Sequence, residues 1–246
     1  MPKFAYKELD QEGLQTLETI AAADRFNRWM YETVAQWFKP GDILEVGSGI
    51  GNISRFALDA GRRVCLSDIR ESYCGYLETQ FAAHPGLIDI VKLDLVHPDF
   101  DTEYAGLLGQ FDNLYALNVV EHIEDDRLAI ANCAKLLRPG GRIIILVPAY
   151  QALYNRFDAA LFHYRRYTRR SLSALFDQNG LHILDAFHFN LMGIFGWWLS
   201  GSVLKKELIP SGQMKLYNRL VPAFRLLDRL ALRQIGLSVV VAGERA

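Results

Sequence analysis

Two short stretches hold the groups best suited to moving a proton, Glu121-His122 and His163-Tyr164. A neutral imidazole accepts a proton near neutral pH, and a phenol both donates and accepts hydrogen bonds. His122, His163 and Tyr164 are therefore the candidate catalytic side chains, with His122 the first candidate base. The plainer role for His122 is a strand-end cap bonded to backbone. Glu121, His122 and His163 also offer a ligand set for a divalent ion, but Mg²⁺ prefers oxygen donors, and no metal is expected. From His163 to Arg170 the chain places four arginines and no acid. Guanidinium groups grip phosphate or carboxylate with two parallel bonds, which suits an anionic acceptor. Equally, Thr168 or Ser171 caps a helix there and the arginines are solvated or paired.

A second constellation belongs to ligand binding rather than proton transfer. It runs Glu45-Val46-Gly47-Ser48-Gly49-Ile50-Gly51-Asn52. Glycines at a strand-to-helix turn let the backbone approach a ligand where a Cβ would collide. A nicotinamide dinucleotide fold wants G-x-G-x-x-G, and Asn52 stands at the last glycine; a phosphate-binding loop fails for want of Lys-Ser or Lys-Thr. Asp68 closes the next β-rich run, placed to accept the two hydroxyls of a ribose. Asp94 ends a third run within reach of an exocyclic amine, and Asn118 ends a fourth beside the same crevice.

Such residues act together only if their strands lie side by side. The runs 43–46, 62–68, 88–94, 112–118 and 142–148 alternate with helical stretches, and the last is a continuous β-branched run suited to a strand buried on both faces. The expected fold is α/β: a doubly wound, mostly parallel seven-stranded sheet with helices on both faces, N-terminal helices, and a helical lid inserted before the last strand. Residues 181–189 and 237–243 supply the last two strands. The chain reads as one domain: a helical cap (1–40), a cofactor core (41–150), a substrate-side segment and strand (151–190), a lid (191–236) and the last strand (237–246).

The runs ILEVGSGIGNIS, SDI, KLDL, ALNVVEHIEDD and LLRPGGRIIILVPAY, in that order, resemble the class I S-adenosylmethionine-dependent methyltransferases over about residues 26–150. The resemblance implies that Gly47, Ser48 and Gly49 line the methionine and ribose side of S-adenosyl-L-methionine, with Glu45 close by. It implies that Asp68 holds the ribose, Ile69 packs on the adenine, Asp94 and Leu95 read the adenine edge, and Asn118 lies near the methyl. Phe26-Asn-Arg-Trp29 resembles the upstream helix that closes over the cofactor. The Glu-His pair resembles ubiquinone-pathway O-methyltransferases and small-RNA 2′-O-methyltransferases. Some of these hold a metal with a further carboxylate three residues upstream, where this chain has Asn118. The C-terminal excursion resembles a subgroup found with glycosyltransferases acting on lipid-linked sugars.

The remaining composition narrows the acceptor. Net charge is −1, base-stacking aromatics are not interleaved with the arginines, and no nucleic-acid partner is expected. Cys65, Cys74 and Cys133 are far apart without a C-x-x-C, and the opening MPKFAYKELDQEG has no signal-type apolar core; both suit the cytoplasm. The apolar run 189–204 is too short to span a bilayer, but Val203 to Arg233 carries seven basic residues against Glu207 and Asp228. Arg225, Arg229 and Arg233 share a face at i, i+4, i+8, Phe224, Leu227 and Ala231 another, and Pro222 suits a first turn. Peripheral membrane contact through 191–233 is expected, the plainer alternatives being a packed cap or a homodimer contact. The expected activity is O-methylation of a small or lipid-linked acceptor, with sugar-containing, anionic acceptors included. The alternatives are a metal-assisted RNA 2′-O-methyltransferase and a non-catalytic cofactor-binding partner subunit.

Overall fold

The computed structural model describes residues 11–206 and 211–246. Two helices, α1 (Gln11–Ala21) and α2 (Asp24–Ala35), precede the first strand. Strands and helices then alternate: β1 (Ile43–Val46), α3 (Ser54–Asp59), β2 (Val64–Asp68), α4 (Glu71–Phe81), β3 (Leu87–Lys92), α5 (Phe100–Glu103) and β4 (Phe111–Leu117). There follow α6 (Asp126–Leu136), β5 (Leu137–Pro148), α7 (Arg156–Ala160), α8 (Arg169–Asp177) and β6 (Leu181–Phe189). Last come α9 (Leu191–Trp197), a π-helical turn (Trp198–Val203), α10 (Ser211–Leu230) and β7 (Ser238–Arg245).

The seven strands form one sheet in the order β3-β2-β1-β4-β5-β7-β6. The first five run parallel, and β7 lies antiparallel between β5 and β6. β1, β2 and β7 carry buried residues in succession because both faces of the sheet are covered. Side chains alternate between the faces. Leu44, Leu114 and Ile143 meet α6 and α8 on one side, while Ile43, Tyr115 and Ile144 meet α2 and α3 on the other. Chain order reverses between β1 and β4, so the crevice beyond their carboxyl ends is where this architecture opens for a ligand.

The excursion between β6 and β7 departs from expectation. Pro222 lies inside α10 rather than in its first turn. Met214, Tyr217, Val221 and Phe224 make one inward stripe toward α2 and the core, and that packing carries the helix across the proline. Arg225 and Arg229 share a face of α10, with Arg225 paired to Glu32 at 2.6 Å, whereas Arg233 lies beyond the helix over the Phe187 ring. Phe224 packs inward, whereas Leu227 is exposed. Asp10 and Glu207, both in segments read from sequence, lie outside the described residues.

Candidate active site

The glycine turn follows β1 at the switch point. Gly47 has φ +72° and Gly49 φ +55°, in the left-handed region that favours glycine. A Cβ on Gly47 would stand 2.3 Å from Val119 Cγ2, so the turn also needs glycine for space. Ser48 N–H donates to the Ser67 carbonyl at 2.8 Å, fastening the turn to β2. Asp68, buried at the end of β2, accepts from Gly49 N–H through Oδ2 at 2.9 Å and from Arg70 N–H through Oδ1 at 3.0 Å. Burial raises its pKa, and those amides pull against the rise. Each oxygen keeps a further lone pair for a hydroxyl.

Glu45 is buried beneath the turn with Oε2 lacking any hydrogen-bond partner. Burial pushes its carboxyl up to about 7, against the pull of the Ser54, Tyr115 and Ser48 hydroxyls. Ile69 is half-buried beside Asp68. After β3, Asp94 Oδ1 accepts from Val96 N–H at 2.9 Å, an Asx turn that holds the carboxylate at the strand end. The Leu95 side chain is buried in the core, so only its main chain is available to read an adenine edge. Asn118, exposed at the end of β4, has φ +55° and donates its N–H to the Leu146 carbonyl.

One helical turn after Asn118, a 3₁₀ segment (Val120–His122) delivers Glu121 and His122. The chain returns through α7 to set His163 against His122, ring centroids 4.7 Å apart and nearly perpendicular. Glu121, His122 and His163 place potential ligand atoms within 4.8 Å of one another. Both Glu121 carboxyl oxygens are buried without a partner, and burial pushes its pKa up to about 8, so the group is largely protonated at neutral pH. Burial, then His163 and Arg70, pushes His122 well below its ordinary value and keeps it neutral. Tyr164 is exposed, and its N–H donates to the Glu121 carbonyl at 2.8 Å.

Sequence reasoning missed Asp158. Its Oδ1 accepts from Arg166 Nε and meets His163 Nδ1, each at 2.8 Å, and its Oδ2 accepts from Asn155 N–H at 2.9 Å. Asp158, His163 and Arg166 are all buried. With Nδ1 engaged by the carboxylate, Nε2 is the nitrogen His163 has left to offer. Burial works against the Asp158 charge, but His163 and Arg166 outweigh it and hold the carboxyl below its ordinary range. The available signal was Asn155-x-x-Asp158, which forms a capping box at the start of α7.

Tertiary contacts also revise the arginine stretch. Arg166 pairs with Asp158 and Arg165 with Asp126 at 2.7 Å, so acids absent from the local sequence neutralise two of the four. Thr168 and Ser171 form a reciprocal capping box on α8, which is the plainer reading of that segment. Phe26 and Trp29 pack on Phe189, and Phe26 also on Tyr217, rather than over the glycine turn. The element above the turn is α1: Leu17 lies near Gly49, and its carbonyl accepts from Asn52 Nδ2 at 2.9 Å.

Residues 44–143, the segment from β1 into β5, match the model of a methyltransferase domain. A ubiquinone biosynthesis O-methyltransferase of Aromatoleum aromaticum is 28% identical over 120 residues, 49% of this chain and 47% of that one. A probable S-adenosylmethionine-dependent methyltransferase of Mycolicibacterium smegmatis is 24% identical over 185 residues, covering 72% of this chain and 66% of its own. Residues 44–143 thus carry a methyltransferase domain, and these likenesses support the class I S-adenosylmethionine-dependent methyltransferases. The fold agrees: geranyl diphosphate C-methyltransferase from Streptomyces coelicolor, solved with S-adenosyl-L-homocysteine, superposes with a TM-score of 0.62 at 13% identity, over 94% of this chain and 85% of that one. The chain spans under half the length of the first relative and about two thirds of the second.

The residues present fit S-adenosyl-L-methionine, the cofactor of this class. The left-handed Gly47 and Gly49 open the backbone at the switch point, Asp68 presents two anchored carboxylate oxygens there, and Glu45 supplies an unpartnered buried acceptor. Among the described residues no helix is long and apolar enough to cross a membrane.

Proposed function

We propose that this methyltransferase methylates a hydroxyl of a small or lipid-linked acceptor, with the Asp158–His163 pair receiving the hydroxyl proton. The carrying observation is the 2.8 Å contact between Asp158 Oδ1 and His163 Nδ1, buried beside His122 at the end of β4. A carboxylate there selects the tautomer that leaves Nε2 as acceptor and stabilises the imidazolium once the proton arrives. The bound cofactor supplies an activated methyl on a sulfonium whose departure needs no acid.

The protein's own part is alignment and proton removal. Glu45, Gly47, Ser48, Gly49, Asp68, Ile69, Asp94 and Leu95 serve the cofactor side of the crevice, and Asn118 lies where methyl and acceptor meet. His122, kept neutral, is a hydrogen-bonding neighbour of the acceptor oxygen rather than its base, and exposed Tyr164 borders the approach. The O-methyltransferase relatives support oxygen as the nucleophile. Transfer of labelled methyl into phenolic, polyol and lipid-linked fractions tests this reading, with His163→Gln expected to lower turnover about 10²–10⁴-fold while cofactor affinity holds. Undiminished turnover in that variant would overturn the assignment. The orphaned Glu121 oxygens favour a second reading, a divalent ion on Glu121, His122 and His163. Loss of turnover with EDTA, restored by Mn²⁺, would select it.

A further inference from the structure

Large apolar side chains are unevenly exposed. Of the 19 exposed among the described residues, 12 fall between 195 and 235. On α10 the inward stripe leaves an outward arc on which Leu216, Leu220, Leu227 and Leu230 lie in one row. Leu230 is 70% exposed, and Leu232 in the turn beyond it is 75% exposed. Alongside this row run Lys215, Arg219 and Arg229, all exposed and all basic. The π-helical turn sits against the start of α10, tied by Ser200 Oγ to Gln213 Oε1 at 2.6 Å. It adds exposed Trp198, Leu199 and Val203, with Lys205 and Lys206 just after it.

The charge is one-sided. Across residues 191–206 and 211–236 seven side chains are basic and only Asp228 is acidic. Asp228 is buried, its carboxylate accepting from the Asn190 and Leu191 amides, so it presents no charge outward. Beside the basic row a cavity of about 190 Å³ opens between α2, β6 and α10, and Arg225, Arg229 and Arg233 line it with Glu32 and Asp228.

The geometry points to this face as a docking surface for an anionic phospholipid bilayer, with the leucine row of α10 and the π-helical turn seated in the interface and the adjacent lysines and arginines on lipid phosphates. An amphipathic helix with an apolar arc flanked by basic side chains is what such an interface binds. Water is a poor solvent for so much contiguous apolar surface. A second copy of this chain fits less well, because a two-fold contact would repeat the same basic side chains on both sides, and Glu32, exposed beside them, is already paired with Arg225. Docking would also place the candidate active site at the membrane: α9 follows β6 at the carboxyl edge of the sheet, and its Trp197 packs on Phe157 with Arg166 4.8 Å from the ring centroid. The docking stands whether or not the acceptor is itself a lipid.

Co-sedimentation with phosphatidylcholine vesicles, with and without about one third phosphatidylglycerol, tests the inference. The full chain should bind the anionic vesicles about tenfold better than the neutral ones, and added salt should weaken the preference. Leu230→Asp with Leu232→Asp should lower that binding about tenfold with an unchanged thermal melt, since both side chains are exposed. Lys215→Gln with Arg219→Gln and Arg229→Gln should remove the anionic preference while leaving the residual binding to neutral vesicles. Equal binding to both vesicle types, or vesicle binding unchanged in both variants, would overturn the proposal. A concentration-dependent dimer that dissociates in the leucine variant, without vesicle binding, would assign the face to a second copy and overturn it as well.

Discussion

Asp158→Asn probes the group that ties α7 to His163, the proposed proton acceptor. The substitution keeps shape but removes the charge facing Arg166 Nε and His163 Nδ1, both at 2.8 Å. The Arg166 side chain is 1% exposed and that of Asp158 is 0% exposed, so water cannot replace the lost partner. Breaking one side of a buried pair typically costs about 3–5 kcal/mol, most of it the stranded charge. For a chain of this length the melting temperature should fall by roughly 2–4 °C per kcal/mol, a drop of about 6–20 °C. Urea unfolding of the wild type, Asp158→Asn, Arg166→Met and the double variant checks the source of the loss. If the penalty is the stranded guanidinium, Arg166→Met should recover about 1–3 kcal/mol when added to Asp158→Asn. A loss under about 1 kcal/mol, or strict additivity of the two substitutions, would refute the buried-pair account.

Two further outcomes test the cofactor side. Asp68→Ala should weaken S-adenosyl-L-methionine binding by about 1–3 kcal/mol in calorimetric titration, and unchanged affinity would remove Asp68 from the ribose. Glu45 binds its proton more tightly folded than unfolded, so between pH 4.5 and about 7 the folded state holds the extra proton and stability falls as pH rises. Its share of that fall is about 3 kcal/mol. Glu45→Gln should therefore flatten the slope of unfolding free energy against pH across that window, and an identical slope would show that the carboxyl titrates normally.

Much of the architecture was legible because it is local. The β-rich runs, the last of them continuously β-branched, marked the strands, since a strand buried on both faces tends to be apolar throughout. The glycines at 47 and 49, followed one strand later by Asp68, marked the crevice, because close backbone approach and a strand-end carboxylate are local demands. Even Thr168 and Ser171 declared a helix start by type and spacing.

Other features depended on contacts far apart in sequence. Whether Arg165 and Arg166 were free or paired turned on Asp126 and Asp158, 39 and 8 residues away along the chain, which meet them only once α7 folds back on the end of β4. The environment of His122 and the pairing of His163 followed from α7 folding back on the end of β4. The face of α10 was decided by α2: Tyr217, Val221 and Phe224 had a partner to bury against and the leucines did not. Periodicity tells which residues share a helix face, whereas burial depends on what the rest of the chain brings to that face.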